Sequence, residues 1–220
     1  MSQELAYSVR RSDRASRVRV SVDAAGGVEV ILPRRSPASA APAAIAELRP
    51  WIERRLQAAS AVRDAIAERG ATLPYLGGRL ELISEPGRTR AHRSGDDLHV
   101  PAEPERARAA IERWYRRAAA KEIAPRLDAA ARELGTSYSA LSIRGQRTRW
   151  GSCSARGAMS FNWRLLLAPE AVLDYVVWHE ACHLRVMDHS PVFWALVRRH
   201  CPGYEVQRRW LRHHGATLVL

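Results

Sequence analysis

The stretch AVLDYVVWHEACHLRVMDHS, at residues 171–190, is the feature that most constrains how this chain can fold. Val172 and Val176 recur with the spacing of one helical face, and His179 and His183 continue that face. Residues four apart on an α-helix lie one turn apart on the same side. The stretch therefore predicts a helix that presents two histidines side by side on its apolar face.

The spacing of these two histidines suits metal binding. Two imidazoles one turn apart can bind one Zn²⁺ at about 2.0–2.1 Å each. Glu180 lies about 100° round the helix from His179, so it flanks the ion and can accept a proton from a water that the ion activates. The pattern predicts Glu180 as a catalytic general base. The alternative is a buried helix whose histidines bond to backbone groups.

His189 is the candidate for a third ligand, because catalytic zinc usually has three protein ligands and one open position. The segment DHSP indicates a break between two helices. Ser190 can cap the second helix, and Pro191 suits its first position. His189 would then lie in the turn before that helix, where its ring can fold back towards the metal.

Two other side chains compete for the third position. Glu205 lies 22 residues after His183 on a predicted helix. Cys182 could bind zinc as a thiolate, but its place in the helix predicts a small packing residue on the buried side. We expect His189 rather than either of them to bind. The remaining histidines, expected at the surface or behind the ligands, are His200, His213 and His214.

The net charge of the chain indicates which partners it can bind, and its cysteine content indicates its redox compartment. The 35 basic and 23 acidic residues give a net charge of +12, which favours contact with nucleic acid or nucleotides, although the arginines are spread over the whole chain. Three cysteines without framework spacing favour a reducing compartment. The sequence has no apolar stretch like that of a signal peptide and no window of about 18 apolar residues. We expect a cytoplasmic protein that does not enter the membrane.

Short strands alternate with helices along the chain, without a βαβ rhythm, which predicts the α+β class. We expect a β-rich amino-terminal part with one helix over residues 1–100, and a core with the histidine motif over residues 101–220. The alternating segment GVEVILP predicts a strand, TLPYLGGRLELISEPG predicts a β-hairpin, and AMSFNWRLLLA predicts a further strand. The other predicted helices span about residues 42–69, 103–134, 191–200 and 204–213.

Four segments occur in the order RTRWGSC, NWRLLLAP, DYVVWHEACHL and DHSPVFW. In these segments the chain resembles the YgjP-like metallopeptidase family, which is related to the SprT-like and WLM zinc proteases. The resemblance extends to VRRSDRASRVRVSVD, LPYLGGR and CPGYEVQRRWLRHHG, so it covers nearly the whole chain. It implies His179, His183 and His189 as zinc ligands and Glu180 as the general base. It also implies a zincin-like core, with the catalytic helix under a small antiparallel sheet, within a single YgjP-like unit.

Val186 stands where metzincins, which share this histidine spacing, have a glycine. Glycine there permits a positive φ, which valine disfavours. We therefore expect the catalytic helix to run on past this point and the turn to fall near Asp188. This departure fits the YgjP-like pattern and argues against a true metzincin.

The segment RTRWGSCSARGAMSFNWR offers candidates for substrate binding. In zincins a strand lies above the catalytic helix, and an extended substrate can add to its edge. Arg149 and Asn162 could reach a substrate carbonyl or a developing oxyanion. The alternative is that Arg149 is structural. Cys153 has no evident base partner and is not expected to act as a nucleophile.

The sequence leads to three functional hypotheses. The first is a zinc-dependent metalloprotease that acts on a protein or peptide, with Glu180 as general base. The second is a metal-dependent nucleotide pyrophosphohydrolase, in which nearby arginines attract the nucleotide. The third is a basic nucleic-acid-binding module with a structural zinc, which is disfavoured because structural sites usually have four protein ligands.

Overall fold

A computed structural model describes residues 5–23, 26–146 and 149–220 of the chain. The chain forms two compact units, Met1–Glu68 and Arg69–Leu220. The division from the sequence was placed near residue 100, which lies inside a strand of the second unit. Within the described residues, no helix combines the length and apolar character needed to cross a membrane.

The first unit pairs one helix with a small mixed sheet. Strand β3 is central, parallel to β1 and antiparallel to β2. Alternate residues of β3, among them Val30 and Leu32, are buried, and they form a core with Ile45 and Ile52 of α1. Pro50 lies inside the helix, which continues through it. The elements are β1 (Ser8–Ser12), β2 (Arg19–Val22), β3 (Val28–Pro33) and α1 (Ala40–Arg69).

The second unit begins with a four-stranded sheet in the order β4-β5-β7-β6 and a long helix, α2. The predicted hairpin of TLPYLGGRLELISEPG is confirmed, since β4 and β5 pair antiparallel. The predicted helix over about 103–134 is also confirmed, with Gly135 at φ 61° just beyond its end. The elements are β4 (Thr72–Tyr75), β5 (Gly78–Glu85), β6 (His92–Ser94), β7 (Asp97–Pro101) and α2 (Pro104–Glu133).

The rest of the second unit holds a three-stranded sheet and three helices. The strands are β8 (Ala140–Arg144), β9 (Gly151–Cys153) and β10 (Ala158–Asn162), and the helices are α3 (Glu170–Cys182), α4 (Pro191–His200) and α5 (Tyr204–His214). The sheet order is β8-β10-β9. A 3₁₀ turn follows β10, where the sequence predicted that the strand would continue.

The expectation of an antiparallel sheet was wrong for one of its two pairings. β9 and β10 are joined by a short turn and pair antiparallel, but β8 pairs parallel with β10. After β8, the chain forms β9 at the opposite edge of the sheet and then β10 between β8 and β9. This crossover makes β8 and β10 run in the same direction.

The core of the second unit lies between α2 and α3. Tyr115 and Ile123 of α2 and Leu173 of α3 are fully buried with Trp163 of the 3₁₀ turn. Helix α3 is apolar on most sides, as expected for a helix enclosed by its neighbours. Arg126 of α2 adds polar contacts across this junction. It donates to Asp174 at 3.0 Å and to Glu170, both near the start of α3. The helix that carries His179 and Glu180 is therefore held against α2 by apolar packing and by ion pairs.

Candidate metal centre

Helix α3 carries His179 and Glu180 in its last turn, and His183 caps its carboxyl end. The expectation that the helix would run past Val186 was wrong, because α3 ends at Cys182. The backbone then turns without a positive φ at Val186. Just after the end of α3, the Arg185 guanidinium donates to the carbonyls of Leu134, at 2.8 Å, and Gly135, at 3.0 Å, which lie just beyond α2.

The predicted break at DHSP is confirmed, and it returns the chain towards α3. The Ser190 hydroxyl accepts a hydrogen bond from the Phe193 backbone N–H at 3.5 Å, and Pro191 is the first residue of α4. The Ser190 N–H in turn donates to the Asp188 carboxylate at 3.1 Å. These contacts fix the turn that carries His189.

Ligand nitrogens from the three histidines converge on one point. Nε2 of His189 lies 3.1 Å from Nε2 of His179. One ligand nitrogen from each of His179, His183 and His189 lies within 4.8 Å of the others. The ligand atoms of a tetrahedral zinc, each at about 2.0–2.1 Å from the ion, lie roughly 3.3 Å from one another. The donor set and its spacing therefore fit one metal ion.

The orientation of His183 is set by the backbone that follows the helix. Its Nδ1 lies 3.0 Å from the Val186 carbonyl oxygen. A carbonyl only accepts hydrogen bonds, so Nδ1 carries the proton and Nε2 keeps its lone pair for a metal. Nδ1 of His179 is buried and has no hydrogen-bond partner among the described residues. Val186, which breaks the metzincin pattern, therefore helps to orient His183 through its backbone carbonyl.

Aromatic rings pack against the histidines and restrict their rotation. Phe193 lies face to face with His183 at 4.4 Å between ring centroids and edge-on to His179 at 5.0 Å. Trp194 stacks on His189 at 5.6 Å. Both aromatic residues come from the first turn of α4, so the helix that Ser190 caps also positions the ligand rings.

The surroundings favour neutral imidazoles, the form that binds metals. Burial, followed by the neighbouring His183 and His189, lowers the pKa of His179 to about 3. Burial also lowers the pKa of His183. Both rings are therefore neutral at physiological pH and offer a lone pair to a cation.

Glu180 lies beside the histidines and is 6% exposed. Burial raises its pKa to about 7, and the charge of Arg149 opposes this shift. A cation bound by the histidines would, like Arg149, lower the pKa of Glu180. The Glu180 side chain lies against Gly151 of β9, where a Cβ atom would come within 2.5 Å of the Glu180 Cγ. Gly151 was not among the site residues predicted from the sequence, although a glycine within a strand often signals a close approach of this kind.

The two predicted substrate-binding residues have different surroundings. Arg149 is exposed and precedes β9, close enough to act on the charge of Glu180. Asn162 is 4% exposed, and its amide donates to the carbonyls of Gln146, at 2.7 Å, and Arg149, at 3.2 Å. Its side-chain oxygen accepts from the Arg164 N–H at 3.2 Å. These contacts tie Asn162 to the backbones of Gln146 and Arg149 and leave the amide little freedom to bind a substrate.

The rival ligands are engaged elsewhere. Glu205 forms an ion pair with Arg198 at 3.0 Å. Cys182 is fully buried, and burial raises its pKa to about 12, so the thiol stays protonated and packs in the core. Burial also raises the pKa of Cys153. The other predicted non-ligands also have partners: His200 bonds to Glu133, His213 bonds to the Arg209 carbonyl and His214 packs on Trp210.

Two histidines and a glutamate at the end of a helix, joined by a third histidine from the following turn, are features of a metal-dependent peptidase. A comparison with protein families matches residues 16–214 to the YgjP-like metallopeptidase domain. The chain belongs to the YgjP-like family. The resemblance seen in the sequence and the zincin-like α+β fold that it implied are confirmed.

Comparisons with individual proteins add little to the family match. Among solved structures, the metallopeptidase zymogen of Pyrococcus abyssi abylysin is similar to this chain, with 23% identity and a TM-score of 0.38. The similarity covers 44% of this chain and 99% of the other. The comparison with curated proteins found no match.

Proposed function

We propose that the protein is a zinc-dependent peptidase in which His179, His183 and His189 hold the metal and Glu180 is the general base. The convergence of the three ligand nitrogens beside a buried glutamate carries this proposal. Three imidazole ligands suit zinc, and a catalytic zinc typically has three protein ligands. The described residues bring no fourth ligand into the cluster, which argues against a structural zinc site.

The metal and the glutamate have separate tasks. Bound zinc would polarise the scissile carbonyl and increase the acidity of the attacking water. Glu180 accepts the proton of that water and delivers it to the leaving amine. Gly151 permits the carboxylate to lie close to the strand, and the packing of α3 holds it there. Helix α3 and its cap therefore bring the base and two of the proposed metal ligands to the substrate, and the turn before α4 adds the third.

The position of β9 favours a peptide substrate. It is an edge strand, paired with β10 on one side, and its first residue contacts Glu180. An extended peptide can add to such an edge through backbone hydrogen bonds. The scissile bond would then lie beside the carboxylate. Arg149 precedes this edge and is exposed, so it is the candidate contact to a substrate carbonyl or a developing oxyanion.

A reducing compartment suits the three free cysteines. Cys153, Cys182 and Cys201 form no disulfide with one another. Unpaired thiols are typical of proteins in the cytoplasm. We therefore propose that the enzyme acts there.

The decisive experiment measures peptide and phosphoanhydride cleavage on one preparation. Zinc-loaded wild type and Glu180→Gln are incubated with labelled casein and with nucleoside triphosphates, and zinc content is measured for both. We expect casein cleavage by the wild type alone, with equal zinc in the two proteins. Phosphate release that depends on Glu180, without casein cleavage, would instead support the nucleotide pyrophosphohydrolase.

A further inference from the structure

A basic groove lies on the second unit, apart from the metal centre. It has a volume of about 670 Å³ and lies between the loop after β5 and helix α2. Ala91 and Ala110, both buried, form its base, and it shares no lining residue with the histidine cluster. The charged and polar residues that line it are Arg88, Arg90, His92, Arg113 and Arg117.

Three of these arginines have no carboxylate partner among the described residues. The nearby acidic side chains are already paired: Glu85 with Arg88 at 2.6 Å, Glu112 with Arg116 at 2.7 Å, and Glu122 with Arg126 at 2.6 Å. Arg90, Arg113 and Arg117 are exposed and belong to none of these pairs. The groove therefore concentrates positive charge that the fold does not neutralise.

The charge continues as a line along α2. Arg113, Arg117 and Lys121 are four residues apart, so they lie on one helical face at intervals of about 6 Å. Lys121 is exposed and lies one turn beyond the groove. A compact anion would contact only the residues of the groove, whereas a chain with repeated charges would also contact Lys121. The arrangement fits a polymer of phosphates.

We propose that this groove and the adjoining face of α2 bind a nucleic-acid strand through its phosphates. Guanidinium groups bind phosphate oxygens in a bidentate manner. No tryptophan, tyrosine or phenylalanine lines the groove for bases to stack on. The contact is therefore to the sugar–phosphate backbone of the nucleic acid, and its strength does not depend on the base sequence. This inference is independent of the metal centre and of the proposed peptidase activity.

The test compares two double variants that lose the same charge. Arg113→Ala with Arg117→Ala removes two groove arginines, and Arg209→Ala with Arg212→Ala removes two exposed arginines of α5 outside the groove. Binding of labelled oligothymidylate to the full chain is followed by fluorescence anisotropy at several salt concentrations. All four substitutions replace exposed helical residues with alanine, a strong helix former, so folding should be retained. A thermal melt of each variant verifies this.

We expect the groove variant to bind at least about 10-fold more weakly than the wild type. Its plot of log K against log salt should be less steep by about 1.4, because each lost phosphate contact on a single strand contributes about 0.7. The α5 variant should keep the wild-type slope. An equal loss in both variants would overturn the proposal, since it would show an effect of net charge alone. Displacement of the oligonucleotide by tripolyphosphate or polyglutamate at equal charge concentration would also overturn the proposal. The groove would then not distinguish a nucleic-acid strand from other polyanions.

Discussion

A Cβ atom at Gly151 would lie 2.5 Å from Cγ of Glu180 and 2.6 Å from its Oε1. These distances are shorter than any van der Waals contact, so a side chain at residue 151 would displace the carboxylate. Because α3 is packed in the core and β9 is paired with β10, the movement would fall on the Glu180 side chain. The absence of a side chain at Gly151 thus determines where Glu180, the proposed general base, can lie.

We expect Gly151→Ala to lower kcat by about 100-fold with little change in KM, since a displacement of about 1 Å in a catalytic group can have an effect of this size. Zinc content should stay at the wild-type level, because Gly151 contacts none of the ligand nitrogens. Steady-state kinetics on a peptide substrate and elemental analysis measure the two quantities.

Gly78→Ala is the matched control for this substitution. Gly78 also begins a strand. A Cβ atom added there would have the Tyr75 carbonyl oxygen as its nearest neighbour, at 3.4 Å, which is close to an ordinary contact. This variant should keep wild-type kinetics. Equal kcat values for Gly151→Ala and the wild type would show that the base tolerates the displacement.

Much of this centre could be predicted from the sequence, because its main parts are local. The four-residue spacing of His179 and His183 on a helix places them together, and the capping residues at DHSP return His189 to them. The structure brings the three rings together as expected. Their binding of zinc stays a prediction.

The parts that could not be predicted depend on contacts distant in the sequence. Gly151 and Glu180 are 29 residues apart, and their contact follows from how β9 packs on α3. Arg185, just after the end of α3, likewise contacts carbonyls beyond α2 that are 50 and 51 residues away in the chain. The parallel pairing of β8 depends on strand order, which alternation of apolar residues does not encode.

His183→Ala should reduce zinc content to below about one tenth of the wild-type level. It removes one of three ligands and the ring that the Val186 carbonyl orients. His200→Ala is the control, because this largely buried ring bonds to Glu133 and stacks on Trp178 but lies outside the cluster. It should lower stability and keep zinc. Elemental analysis of both variants after dialysis distinguishes a ligand from a structural histidine, and full zinc in His183→Ala would rule out its role as a ligand.

Removal of the metal by a chelator should lower the thermal midpoint of unfolding by roughly 10 °C. A ligand at about 1,000 times its Kd stabilises the folded state by about 4 kcal/mol, and a domain of this size loses about 2–4 °C per kcal/mol. Calorimetry before chelation, after it and after zinc is restored measures the shift. The His183→Ala variant should show no such shift, and an unchanged wild-type midpoint would mean that no metal is bound by the folded protein.

The chelated protein should also show a pH dependence that Glu180→Gln removes. Burial raises the pKa of Glu180 from 4.5 to about 7. Between these values the folded chain holds a proton that the unfolded chain has released, so stability falls as the pH rises from about 4.5 through about 7. At about 1.4 kcal/mol per pKa unit, the glutamine variant should be more stable than the wild type by about 3 kcal/mol above pH 8.

Below about pH 4 the two chelated proteins should unfold alike, since Glu180 is protonated in both states of the wild type. Urea unfolding at several pH values measures the difference, and the contributions of the histidines cancel because both proteins contain them. A difference that does not change with pH would show that Glu180 is not desolvated.

Arg149 is expected to act on the substrate rather than on the metal. It is exposed at the start of the β9 edge, and its charge reaches Glu180. Arg149→Ala should lower kcat/KM for a peptide by about 10-fold or more at unchanged zinc content, because a donor for the developing oxyanion is lost. Arg149→Lys, which keeps the charge, should recover part of this loss. If both variants cleave the peptide at the wild-type rate, the exposed guanidinium has no part in catalysis.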